Sequence, residues 1–439
     1  MAEDLNTNHL PLTAMDCAMV AQTYPGRPMT THHVLDVALA FSPSALRTAL
    51  EHLVRECPSL RTSVREVGRR WVRTVDAFDE ARVAAHFVVA RDGEALLDNG
   101  WLDEGFDLST QWPVRVGVQG LPGAGQRIIF TLHHHVTDGR GALSLFDWYL
   151  RTAVAAEGLG ALPMSPFGAA EQTSVWEHVA RRGARFWLAC AVSAVRALAL
   201  YLRDADRVFE TPDAQAGAFG ILTRDLDQGT WRALKVSADR EGCTRNDLLV
   251  CAALKAGEVW RRERGLPCEQ FRVLGVVDLR EFFEGSDVLQ NWMGTAEVDA
   301  SAEAIRGIEL PKLVSKSLRE GRVPDKALAA PALLGVLGTL LPPAWFKGLF
   351  KLFDAERLPS MYSFLLSHIR PHDAICWPDA KAPQRLFCAS TLPRKPGLGI
   401  TVTTVGEHVT LALCWPQGLS SKVSMQRFFD ALFAQLERQ

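Results

Sequence analysis

The stretch Gln126 to Leu150, QRIIFTLHHHVTDGRGALSLFDWYL, constrains the chain more than any other. Arg127 to Leu132 is a short, nearly continuous apolar run, which reads as a buried strand. It runs into three histidines and a tight acidic turn. A helix follows, because Leu143, Leu145, Phe146 and Leu150 recur at helical spacing. Asp138 and Gly139 stand where the strand has ended and the helix must begin, a natural place for a turn and an N-cap. A histidine at that junction is well placed for chemistry: the strand holds it rigidly and the turn opens it to a ligand. The spacing itself, His133, His134, Asp138 and Gly139, spells HHxxxDG.

The same mixture of elements runs through the chain. Ser42-Pro43 caps and opens a helix whose apolar face is Leu46, Ala49, Leu50, Leu53 and Val54. Arg61 to Val67 and Arg70 to Val75 form a hairpin with Gly68-Arg69 at the bend. Val83 to Val89 is expected as a strand, Glu94 to Trp101 as a short helix, and Val114 to Val118 as the partner of Arg127 to Leu132. His32-His33 is expected to begin a strand and to be solvated or locally hydrogen-bonded. Trp176 to Arg203 carries few acidic residues and reads as a helical connection. Beyond it lie a strand Phe219 to Leu226, a helix Trp231 to Arg240, and a helix Leu248 to Arg264 capped by Thr244. A buried strand Phe271 to Val277 delivers Arg280. Gly397 to Val405 and His408 to Cys414 make a hairpin, and Val423 to Leu436 a final amphipathic helix.

With 439 residues the chain is too long for one ordinary domain and about right for two. Lys plus Arg is 48 against 50 Asp plus Glu, and no basic run sits among aromatics, so nucleic acid is not an expected partner. Nine cysteines are scattered without a CxxC pair, which points to a reducing, cytoplasmic setting. The opening MAEDLNTNHLPL shows no signal peptide. Ala327 to Leu341 is the most apolar segment, at about 15 residues too short to span a bilayer. Trp345 to Phe353 alternates aromatics with Lys347 and Lys351. That pattern fits peripheral membrane contact; the preferred reading is that both segments cover apolar faces of the second half or line a tunnel.

HHxxxDG resembles the signature of the condensation-domain and acyl-CoA-dependent acyltransferase superfamily. That group includes condensation domains of peptide synthetases, wax ester synthase-like enzymes and polyketide-associated acyltransferases. Weaker similarities span nearly the whole chain. Pro11 to Asp16 looks like the family's opening segment, Cys57 to Thr62 like its "HPxLRT", and Phe106-Asp107-Leu108 with Pro113-Val114-Arg115 like its "FDL…PxxR". Val277 to Arg280 looks like its "VxLR", and Asn291-Trp292-Met293-Gly294 like its crossover region. Ser367-His368 looks like the family's "SN", with His in place of the usual Asn. The resemblance implies an α/β fold of two chloramphenicol-acetyltransferase-like sandwich lobes in a V, with a tunnel between them. The corresponding division is an N-terminal lobe 1–170, a helical connection 171–215 and a C-terminal lobe 216–439.

The resemblance also implies an activity: acyl transfer from a thioester to a hydroxyl or amine. Such a step needs a base, and a neutral imidazole titrates near physiological pH. By the family's motif His134 is that base, while Asp138 turns away from it to pair with Arg280. His133 and Gly139 would be structural. Asn291, Trp292, Ser367 and His368 would line the substrate tunnel, and the amides of Gly139 to Gly141 are candidates for holding the oxyanion. No bound cofactor is implied; the donor would be acyl-CoA or an acyl group on a carrier protein's phosphopantetheine arm. The chain is expected to act as a free-standing monomer, with ester formation favoured over amide formation.

Other readings compete. His133 and His135 have His-x-His spacing, and with Asp138 they suggest a metal site, but no further His or Cys cluster supports it and no metal is expected. A serine hydrolase would need a GxSxG elbow, which is missing. The remaining alternative is a catalytically silent relative that binds a carrier protein or lipid.

Overall fold

The computed structural model describes residues 9–438 except 11, 25, 39, 124, 167–178, 202, 211–217, 283–288, 356–359, 371–382, 393–394 and 396. Pro11, Trp176, Cys376 and most of the two ends of the connection 171–215 lie outside the described residues.

Two mixed sheets carry the fold. The first has five strands in the order Pro383–Ser390, Thr30–Val37, Gln126–His133, Val114–Gly120 and Phe87–Val89. The second has six: Met293–Ser301, Gln270–Asp278, Phe364–Ile369, Gly399–Val405, His408–Pro416 and Phe219–Leu226. A smaller sheet of His9–Leu10, Arg70–Val75 and Thr62–Val67 stands apart. Each large sheet lays one face on helices. Ile128, Phe130 and Leu132 meet helices Pro43–Glu56 and Gly139–Ala156 in one core. Val273, Ile400 and Leu411 meet helices Arg245–Arg262 and Lys422–Glu437 in another.

A third apolar cluster joins the sheets through their other faces. Val34, Ile129 and Phe387 of the first meet Phe219, Ala412 and Cys414 of the second. Strand side chains alternate in direction, so a strand buried on both faces has to be apolar at nearly every position. That is why Arg127 to Leu132 shows no polar alternation.

The segment 216–439 does not stay within one sheet. Its strand Pro383–Ser390 crosses over and pairs antiparallel with Thr30–Val37, Cys388 opposite His33. Leu386 enters the first half's core while Phe387 enters the cluster between the sheets.

Several local expectations change. Val83 to Val89 is a short helix, Glu80–Ala85, capped by Asp79, and only then a strand. Glu94 to Trp101 forms turns rather than a helix. The Trp101 Nε1 donates to Thr131 Oγ1 at 2.8 Å, and this tertiary bond fixes the loop. His32-His33 is mid-strand and fully buried, not solvated: His32 bonds Thr30 and Thr131, and His33 meets the Cys388 thiol at 3.0 Å. Helices Ala329–Leu340 and Pro343–Phe353 do not cover the second half alone. They lie on helix Ala14–Ala21 from the first, where Phe346 is buried with Ala18 and Ala21. No single helix among the described residues is long and apolar enough to cross a membrane.

Candidate active site

Strand Gln126–His133 ends at His133, and a turn carries His134 and His135 to Asp138, the N-cap of helix Gly139–Ala156. The turn separates three identical side chains. His133 and His135 are fully buried, whereas His134 is partly exposed. His133 Nε2 bonds Thr23 Oγ1 at 2.8 Å, and its Nδ1 lies 2.8 Å from His135 Nδ1 and accepts the His135 amide at 3.1 Å. Burial, and then the neighbouring His134, lowers the His133 pKa to about 3. His135 is held well below the usual imidazole value, first by burial. Two buried, neutral rings bonded to each other are not splayed around an ion. Among the described residues no group of three His, Cys, Asp or Glu side chains could hold a metal.

Asp138 faces away from His134. Its Oδ1 accepts the Gly141 amide at 3.0 Å, the ordinary bond of an N-cap. Its Oδ2 accepts from Arg280 at 2.7 Å and from the Trp292 amide at 2.8 Å. Arg280 also donates to the Gln290 carbonyl at 2.9 Å and to Asp278 at 3.3 Å, and Asp278 receives Arg140 as well. Burial alone would lower the Arg280 pKa, yet Asp138 and Asp278 hold it raised. These charges therefore satisfy one another across the two halves of the chain. Gly139 is packed tightly there: a Cβ on it would come within 2.8 Å of Ile369 Cδ1.

The Gly141 amide is consumed by the Asp138 cap, which removes it from the candidate oxyanion donors. Asn291 and Trp292 do not line an open passage. Both are buried, at 0% and 1% exposure, Trp292 within the second half's core. Asn291 instead touches the turn directly, with its Oδ1 3.1 Å from His134 Nδ1. Its Nδ2 donates to the His134 carbonyl at 2.7 Å and to Asp16 Oδ1 at 2.9 Å. Gly294, two residues on from Trp292, has no room for a side chain, since a Cβ would come within 2.4 Å of the Ala327 carbonyl oxygen.

Ser367 and His368 sit on adjacent positions of strand Phe364–Ile369 and so face opposite ways. His368 shares its side with Leu366 of the second core, bonds Thr404 at 2.8 Å and meets the edge of Trp231. Burial, then Arg370, Arg245 and Arg322, lowers its pKa to about 3. All these partners belong to the second half. Ser367 shares its side with Ile369, which packs toward Gly139.

Sequence reasoning missed Asp16 as part of this site. It looked like one letter of an opening segment, PLTAMD. The available signal was its place at the third position after a capping Thr13, where an acidic side chain is held rigidly.

No family model matches the sequence, and no curated protein matches it either. Solved structures do match. The chain is similar to the trichothecene 15-O-acetyltransferase of Fusarium sporotrichioides, with a TM-score of 0.74 and 11% identity over 97% of this chain and 94% of that one. It is similar to the first condensation domain of the CDA synthetase, with a TM-score of 0.66 and 16% identity over 98% of this chain and 97% of that one. It is also similar to the epimerization domain from the third module of tyrocidine synthetase B, with a TM-score of 0.64 and 14% identity over 98% and 96%. At these identities the likeness shows the fold. The chain has the two-lobed α/β fold shared by condensation domains and this acetyltransferase. An acetyltransferase, a condensation domain and an epimerization domain all use it, so the fold does not select the reaction.

Proposed function

We propose that the chain transfers an acyl group from a thioester to a hydroxyl or amine acceptor, with His134 as general base. The observation that carries this reading is the separation within the turn: His134 is the partly exposed ring among three histidines, held from behind by Asn291 while its neighbours are buried. A thioester is already activated, so one positioned base suffices. The acceptor oxygen or nitrogen attacks the carbonyl carbon and its proton passes to His134. The tetrahedral oxyanion then collapses, the C–S bond breaks, and the leaving thiolate takes the proton back. Asp138 and Arg280, bonded to each other, fix the junction of turn and helix rather than the proton.

The donor in this reading is acyl-CoA or an acyl group on a phosphopantetheine arm, with no resident cofactor. The acetyltransferase among the similar structures supports a hydroxyl acceptor and ester formation. The peptide-synthetase domains support a carrier protein as donor partner. The division proposed is a lobe 1–170, a connection 171–215 and a lobe 216–439 that lends strand Pro383–Ser390 to the first.

Purified protein and His134→Ala, compared with acetyl-CoA, octanoyl-CoA and acyl-carrier thioesters plus mixed alcohols and amines, test this. Free thiol and acylated product should form with the parent and fall by about 10²-fold or more in the folded variant. Equal turnover in both would overturn the reading. Tight carrier or lipid binding without turnover in either would favour a silent binding protein.

A further inference from the structure

We infer that Asn291 is a positioning residue that fixes the proton arrangement of His134, and that Asp16 in turn fixes Asn291. This rests on His134 being the base proposed above. The Nδ2 of Asn291 meets two oxygens, Asp16 Oδ1 at 2.9 Å and the His134 carbonyl at 2.7 Å. A carboxylate and a backbone carbonyl only accept hydrogen bonds, so the amide is held in one orientation of the two possible. Its Oδ1 then faces His134 Nδ1 at 3.1 Å and can only accept there. In the neutral imidazole Nδ1 therefore carries the hydrogen, which leaves the lone pair on Nε2. That is the state a base requires, with the proton of the acceptor arriving at Nε2.

Asp16 is itself held by a local hydrogen bond. Its Oδ2 accepts the Thr13 amide at 2.9 Å within a capping box of helix Ala14–Ala21. Asp16 and Asn291 both have zero solvent exposure, so neither reaches a substrate. The two are 275 positions apart in sequence. Three segments that meet only in the folded molecule thus specify one nitrogen of one ring.

The surroundings leave this contact as the controlling one. His33 and His133 are lowered to about 3, chiefly by burial, and His135 is well below its usual value. Burial, then Asp16, pushes the Cys17 thiol up to about 12. Asp138 and Arg280 neutralise each other. The buried Arg73 also interacts with Asp16.

The test is nitrogen NMR of the full-length protein labelled in histidine, with His134 assigned by comparison with His134→Ala. In the parent, His134 should be the Nδ1–H tautomer; an Nε2–H tautomer would overturn the inference whatever the activity. Asn291→Leu should give mixed tautomers and lower kcat by about 10²-fold, with KM changed by less than about threefold, on octanoyl-CoA and the alcohol panel. A folded Asn291→Leu with unchanged tautomer, kcat and pH profile also overturns it. An Nδ1–H tautomer in a protein whose His134→Ala variant keeps full activity would instead sink the reading of His134 as the base and leave the positioning intact.

Discussion

The three consecutive histidines show how strongly position overrides residue type. His133 and His135 carry the same imidazole as His134, yet both are buried in a polar knot with Thr23. His32 and His33 are buried in the neighbouring strand. For His32, His33 and His133, burial is the first cause of a pKa lowered to about 3. The folded protein therefore keeps these rings neutral at a pH where the unfolded chain protonates them, below an ordinary value of about 6.5. The unfolded state binds more protons between about 6.5 and 3, so stability is full above this window and is lost as pH falls through it. Each ring contributes at most about 1.4 kcal/mol per pH unit there. The urea midpoint should accordingly drop clearly between pH 7.5 and pH 5.5; equal midpoints would show that these rings are not kept neutral by folding.

Between elements, the decisive feature is the group of charges that ties helix Gly139–Ala156 to the strand–turn carrying Arg280. Asp138 is at once the helix N-cap, the partner of Arg280 and the acceptor for the Trp292 amide. Asp138→Ala leaves the guanidinium buried without this partner. It should cost about 3 kcal/mol or more, the cost of breaking one side of a buried pair, plus about 1 kcal/mol for the cap. A lowered melting temperature in Asp138→Ala checks this. A folded Asp138→Asn protein with unchanged melting temperature and no turnover would assign Asp138 to the chemistry instead.

For the whole molecule, the consequence lies in strand Pro383–Ser390. It completes the edge of the first sheet, and Phe387 fills the cluster between sheets. The first half expressed alone, residues 1–215, would expose the edge of Thr30–Val37 and the apolar side chains Val34 and Ile129. Unpaired apolar edges associate. The fragment should therefore lack a cooperative unfolding transition by circular dichroism, while the full chain unfolds in one. A soluble, cooperatively folded fragment would show that the crossing strand is dispensable.

Local rules account for the elements that could be read along the chain. The hairpin at Gly68, the helices opened by Ser42 and Thr244, the apolar strand Gln126–His133 and the cap at Asp138 follow from turn chemistry, capping and periodicity, each acting over a few residues. The α/β class follows from their order, and the HHxxxDG spacing located the turn. Which histidine is open, and what holds it, depends on contacts between distant segments. Asn291 and Trp292 read as passage-lining residues until the fold buried them, and Asp16 had no local sign of its bond to Asn291. Glu94 to Trp101 lost its helix to a bond between Trp101 and a distant strand. Contacts between segments hundreds of residues apart depend on sheet order and on the crossing strand, and no short-range pattern encodes either.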